Sequence, residues 1–323
     1  WMGFAFARVG LGLSEAGNFP AAIKTVAEWF PKKERAFATG LFNGGSNVGA
    51  ILAPALIPLI IVTFGSWEWV FILSGFLGFI WLILWLILYR EPHKSSFTNQ
   101  AEIAYIEHGE TEPDKQKINW LSLLKYKQTW AVALGKLFAD PVWYFYLFWG
   151  AKFLNAKFGI DLKEMALPLI FIYVIADLGG ITGGGISSIL MKKGKSANFS
   201  RKMTMLGSAI LVVPVMTVPY HSSLFLSVAL IALAAAAHCS WSANIFTVIS
   251  DLFPKQVVGS VTGFATTIST IGGMLTALLI GFALNETGTE GYNIAFGVAS
   301  FGYLIGIAVI HLLVPRMKPI EKI

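Results

Sequence analysis

The chain has 323 residues, 55% of them hydrophobic and only 13% charged, with a mean hydropathy of +0.66. Soluble domains carry about 25% charged residues, so composition excludes an ordinary water-soluble fold. The net charge of +6 would suit nucleic acid, but apolar runs interrupt the basic residues throughout, and the single Cys239 excludes an intrachain disulfide or a Cys-based metal cluster.

Nine apolar runs follow one another, roughly at 2–27, 36–63, 69–89, 129–151, 165–191, 203–220, 223–249, 258–284 and 292–314. Each is long enough to cross a ~30 Å hydrocarbon core as a helix. The expected fold is therefore an all-α polytopic membrane protein. The first run carries Arg8 and Glu15, seven residues apart and so on one helix face about 10 Å from each other. Charges at bilayer depth normally face a protein interior or a water-filled path. The chain opens inside this run at Trp1, with no initiator Met or polar flank, so a missing N-terminal segment is expected.

The second run holds Gly40, Gly44, Gly45 and Gly49 at near-helical spacing, interleaved with Asn43 and Asn47. Small residues let membrane helices approach closely and move against one another. After the third run comes the longest polar stretch, 90–128, which divides three spans from six. Within it Ala101–Ile106 reads as a short amphipathic helix at the membrane surface or as a solvated linker. The expected organisation is a helical unit at 1–89, a central loop at 90–128 and a six-helix unit at 129–323 with a short tail.

In the second unit Lys136 and Asp140 share a face of the fourth run, with Tyr144 one turn on. The fifth run clusters Gly179, Gly180, Gly183, Gly184 and Gly185 without the Gly-Lys-Ser/Thr of a phosphate loop, so a nucleotide-driven pump is unsupported. The seventh run spaces His238, Trp241 and Asn244 every three residues, which is expected to bring them together on one face, and Cys239 reads as a small packed thiol. Five scattered histidines, at 93, 108, 221, 238 and 311, supply no metal cluster or nucleophile–base pair, so neither an enzyme nor a bound cofactor is expected. No ring of charges suggests a channel.

If alternate loops share a side, eighteen Lys and Arg fall on one side and only Lys152, Lys157 and Lys163 on the other. That bias places the central loop, the other basic loops and the C-terminus in the cytoplasm. An internal repeat at an offset of 223 pairs Glu28-Trp-Phe-Pro-Lys32 with Asp251-Leu-Phe-Pro-Lys255, Gly40 with Gly263, and Gly49 with Gly272. It also pairs Glu15 with His238, Asn18 with Trp241, Asn43 with Thr266 and Asn47 with Thr270. Repeats of this kind typify secondary transporters. If the first run corresponds to the seventh, the parent has twelve helices in two halves and this chain holds helices 4–12.

At Arg8-Val-Gly-Leu-Gly-Leu-Ser-Glu15-Ala-Gly-Asn18-Phe-Pro20 and Glu28-Trp-Phe-Pro-Lys-Lys-Glu-Arg35, the chain resembles the anion:cation symporter family of the major facilitator superfamily. Asp140-Pro-Val-Trp-Tyr-Phe-Tyr-Leu-Phe-Trp149 and Ala237-His238-Cys-Ser-Trp241-Ser-Ala-Asn244 are most similar to bacterial hexuronate transporters. The resemblance implies proton-coupled symport of a sugar acid such as glucuronate or galacturonate across the inner membrane by a monomer. Galactonate, glucarate or another organic anion is the alternative cargo. It implies that Arg8 couples charge, that Glu15 carries a proton, and that Asn47 and Trp241 lie near substrate contacts. It also implies a cavity lined by the first, fourth, seventh and tenth helices, with the third, sixth, ninth and twelfth facing lipid.

A hexuronate needs a cation for its carboxylate, hydrogen-bonding groups for its hydroxyls and a flat face for its ring. Arg8 or Lys136 can supply the cation, and only Arg8 can pair with the carboxylate through two parallel hydrogen bonds. Asn43, Asn47, Asn244 and Tyr144 can supply hydrogen bonds, Trp241 a ring surface, and His238 either a binding group or a packed imidazole. Glu15 and Asp140 are the candidate proton carriers, Glu15 preferred because Lys136 lies one turn from Asp140. The plainer readings are an intrahelical Lys136–Asp140 ion pair and packing hydrogen bonds for the asparagines.

Overall fold

The computed structural model describes residues 2–107, 120–160 and 164–320, with backbone alone at positions 5, 46, 47, 50, 54, 55, 58 and 120. Among them the chain is helical with no strand: α1 (Met2–Glu15), α2 (Asn18–Trp29), α3 (Arg35–Phe64), α4 (Glu68–Leu88), α5 (Gln100–Glu107), α6 (Lys127–Phe158), α7 (Ala166–Lys192), α8 (Ala197–Val212), α9 (Leu224–Leu252), α10 (Lys255–Thr287) and α11 (Gly291–Leu313).

The boundaries have local causes. The predicted run 2–27 is broken at Ala16–Gly17, directly after Glu15, because Pro20 has no N–H to donate to Ala16. Gly65 and Gly159 end α3 and α6 with φ of 70°, a left-handed conformation that glycine adopts without steric cost. The predicted run 203–220 begins six residues early, at Ala197, where the Ser196 hydroxyl accepts from the Phe199 N–H. It tightens into a 3₁₀ turn over Val213–Tyr220, because Pro214 cannot continue the α-helical ladder. The early start takes Arg201 and Lys202, which precede the predicted run, into α8, and both are buried.

Five segments among the described residues are long and apolar enough to cross a membrane by length and composition: α4, α7, α8 with its 3₁₀ turn, α9, and Lys255–Leu313, which spans α10 and α11. Burial separates them. In the most apolar window of α9, 61% of residues are buried, and in that of α4 none are. The core gathers around α9, with α3, α6, α7 and α8 packed against it and α11 laid on α6 and α8.

The first unit meets the second along α3, α7 and α9. Every buried residue described on α3 lies between Arg35 and Gly44, while its other described residues are partly or fully exposed. A side chain at Gly40 would collide with the Gly180 carbonyl, and one at Gly184 with the Ala36 carbonyl. Gly45 and Gly49 meet nothing, so only part of the predicted glycine row is a contact surface.

The loops sort to two ends. At the basic end Arg201 reaches Lys32, Arg35 reaches Ser250, Lys192 pairs with Glu34, and the tail returns to α9 through Ile320 and Leu252. At the other end Phe153, Lys157, Pro219, Thr289 and Tyr292 line a cleft of about 260 Å³. The expected helix at Ala101–Ile106 is found as α5, and its Tyr105 hydroxyl donates to Glu34 at 2.9 Å.

Candidate functional site

A buried polar cluster is built on α6. Lys136 and Asp140, one turn apart, form an ion pair at 2.8 Å with side chains 3% and 12% exposed. The Lys136 ammonium also lies 4.2 Å over the Phe246 ring of α9, a cation–π contact suited to a site with little water. Pro141 follows Asp140 directly and removes the backbone bond to Leu137, so the helix is locally opened beside the carboxylate. The plain intrahelical pair is therefore present, and it is buried, where an unpaired charge would be costly.

Around the pair stand residues of four helices. His238 of α9 stacks on Trp143 of α6 with ring centres 4.8 Å apart and planes within 7°. Its Nδ1 lies 2.7 Å from the Tyr303 hydroxyl of α11. Trp241 meets the edge of the same tyrosine ring at 5.5 Å. Tyr144 is half-buried and hydrogen-bonded to Thr270, the residue that the internal repeat pairs with Asn47.

The remaining predicted residues are placed differently. Trp241 is fully buried and packs toward Gly306, so it is part of a helix interface. Asn244 does not share the His238 face: its amide donates to Ser240 on its own helix at 2.9 Å and to Gly183 of α7 at 3.4 Å. Steps of three residues turn a helix by 300°, so two such steps swing a side chain about 120° away. Asn43 sits at the α3–α9 seam and donates to Ser242 at 3.2 Å. Asn47 is on α3, but its side chain lies outside the described residues. Arg8 and Glu15 are exposed on α1, with no ion pair to each other among the described residues.

Several contributors escaped the sequence reading. Tyr303 is fully buried on α11, a helix expected to face lipid. One stripe of α11 does turn outward, but Gly302 and Gly306 let the opposite stripe lie against the Phe138 and Gly135 carbonyls of α6. A second buried ion pair joins Arg201 of α8 to Asp251 of α9 at 2.9 Å, and the same guanidinium donates to Ser187 and to the Lys32 carbonyl. Arg35 donates to the carbonyls of Ala27, Phe30 and Ser250. Together these arginines tie the first unit to the end of α9. The internal repeat marks Asp251, but no sequence signal joins it to Arg201.

The arrangement offers a cation, a carboxylate, an imidazole and aromatic faces within membrane-length helices, and among the described residues no group of His, Cys, Asp and Glu fit for a metal. The sequence profile described as Major Facilitator Superfamily matches residues 1–198 and 195–322. The hexuronate transporter of Escherichia coli (strain K12) is 32% identical over 99% of this chain and 74% of its own length. The galacturonate transporter of Dickeya chrysanthemi is 33% identical over 73% of this chain and 69% of its own. Among solved structures, the E. coli fucose:proton symporter superposes with a TM-score of 0.61 at 16% identity, covering 94% of this chain and 74% of the symporter, a likeness of fold.

Proposed function

This chain belongs to the Major Facilitator Superfamily, and from that premise we propose that it carries a hexuronate such as glucuronate or galacturonate, together with protons, across the bacterial inner membrane by alternating access. The observation that carries this reading is the buried Lys136–Asp140 pair, set among His238, Trp143 and Tyr144. Substrate classes named for the similar hexuronate and galacturonate transporters supply the chemistry to which these groups fit.

In this reading nine rods cross the bilayer: α1 with α2, α3, α4, and α6 to α11, with α8 continued by its 3₁₀ turn. Residues 1–89 and 129–323 move as two units joined by the loop at 90–128, with that loop and the C-terminus cytoplasmic and a single chain sufficient. Lys136 attracts the sugar-acid carboxylate, and Arg8 offers a second cation from the facing unit. Tyr144, His238, Asn43 and Asn47 bond the hydroxyls, while Trp241 and Asn244 shape the wall behind them. Glu15 and Asp140 exchange protons, because a carboxyl moved between a cation and a dry cavity changes its affinity for a proton. The Arg35 and Arg201 contacts close the basic end, so the path opens toward the other side.

Uptake of labelled glucuronate and galacturonate by proteoliposomes, with and without an imposed pH gradient, tests the proposal. Accumulation driven by the gradient is expected. Flux indifferent to the gradient would remove the coupling, and a preference for galactonate or glucarate over both hexuronates would change the cargo.

A further inference from the structure

Tyr303 sits where its hydroxyl has one partner. The residue is fully buried, and among the described residues the only hydrogen bond of its hydroxyl runs to His238 Nδ1 at 2.7 Å. A bond between a phenol and an imidazole can form in two ways, with either group donating. If Nδ1–H donated to the tyrosine oxygen, the phenolic proton would be buried without an acceptor. That arrangement costs the full desolvation of a polar group. The hydroxyl must therefore donate, Nδ1 must accept, and the neutral imidazole must carry its proton on Nε2.

Two contacts fix the ring in that state. Trp143 stacks on its face at 4.8 Å and 7°, and Trp241 backs the tyrosine edge-on at 5.5 Å. Nε2 has no hydrogen-bond partner among the described residues. The charged groups acting on the imidazole are Asp140 and Lys136 from α6. The oriented N–H thus lies within the electrostatic reach of the buried ion pair.

We propose that Tyr303 is a positioning residue for sugar-acid recognition: its hydroxyl locks His238 as the Nε2–H tautomer, which offers a neutral, oriented N–H donor to an oxygen of the substrate. The inference rests on the sugar-acid reading given above and adds a residue on α11 to it. Lys136 answers the carboxylate charge, and His238 reads hydroxyl or carboxylate geometry. A flexible imidazole free to exchange tautomers would present an acceptor part of the time and discriminate less.

The test uses Tyr303→Phe in the full chain, which keeps the ring against Trp241 and removes only the hydroxyl. Binding of D-glucuronate and D-galacturonate is expected to weaken about tenfold, as for loss of one oriented hydrogen bond. KM should rise with the maximal uptake rate unchanged. In a His238→Gln background the same substitution should cost nothing further, because its effect passes through the imidazole. Equal costs in both backgrounds would show a packing role and overturn the proposal. Nitrogen-15 shifts of the His238 imidazole give a second, ligand-free reading. Nε2 should be protonated and Nδ1 not in the parent, with the two forms mixed in Tyr303→Phe. Protonation at Nδ1 in the parent would overturn the lock directly. If the parent bound neither sugar acid, the functional reading and the recognition role would both fall, and the nitrogen shifts would still decide the tautomer.

Discussion

At the residue scale, a buried ammonium and carboxylate hold each other. Among the described residues Lys136 and Asp140 are each other's only ion-pair partner, at 2.8 Å, with Phe246 covering the amine. Removing one partner of such a pair typically costs about 3–5 kcal/mol. Asp140→Asn should therefore lower expression and thermal stability as well as transport. Purified yield and melting temperature, measured beside uptake, check this. Glu15 is exposed on α1 and has no such tie among the described residues, so Glu15→Gln should fold normally. It should lose accumulation against a gradient yet keep exchanging labelled for unlabelled substrate, since exchange does not require the proton to cycle. Accumulation by Glu15→Gln under a pH gradient would place the carrier elsewhere, with Asp140 a next candidate. The sequence made Lys136 and Asp140 legible because a charge within an apolar run has few innocent explanations. Tyr303 carried no such mark. A tyrosine fits an apolar run, and only the fold brings its hydroxyl to His238 of α9.

At the element scale, helices were legible from apolar length and their interruptions from proline. Pro20 marks the break between α1 and α2, and Pro214 the change to a 3₁₀ turn. Helix starts were harder to read, since a polar cap such as Ser196 looks like loop until its hydroxyl is seen accepting from Phe199. Arg201 therefore reads as loop in the sequence although it lies inside α8. The glycine rows were visible in sequence, but their facing was not: Gly184 turns toward α3, Gly179 and Gly183 toward α9, and Gly180 lies between the two. The α3 contact gives a direct prediction. A methyl group at Gly184 would press on the Ala36 carbonyl, and overpacking of this kind typically costs about 1–3 kcal/mol. Gly184→Ala should part α3 from α7 and loosen the basic end. A cysteine at Thr39, buried in the same seam and introduced with Cys239→Ser, should then react faster with thiol reagents in inside-out vesicles. An unchanged rate would mean that this seam is not a closing surface.

At the scale of the whole molecule, the distribution of charge along the chain becomes a difference between two ends. The basic end is held by Arg35, by the Arg201–Asp251 pair and by a surface link in which Lys192 lies 2.8 Å from Glu34. The hydrogen bond from Lys192, more than that from Tyr105, holds the Glu34 carboxyl below its ordinary value of 4.5. A lowered carboxyl value means that the link is complete at neutral pH and is lost only as pH falls through that lowered value. Physiological proton gradients should leave it intact, and Glu34→Gln should imitate acid by loosening the basic end at pH 7, with faster labelling of the same Thr39 cysteine. The orientation of the two ends is itself testable. Lys195 is exposed beside the basic loops, and Thr289 is exposed in the loop between α10 and α11. In a Cys239→Ser background, Lys195→Cys should resist an impermeant thiol reagent added to intact cells, and Thr289→Cys should react. The reason is energetic: with eighteen Lys and Arg against three, the opposite orientation would have to carry the basic loops across the bilayer. Labelling of Lys195→Cys from outside would invert the topology, and with it the direction in which Arg35 and Arg201 close the path.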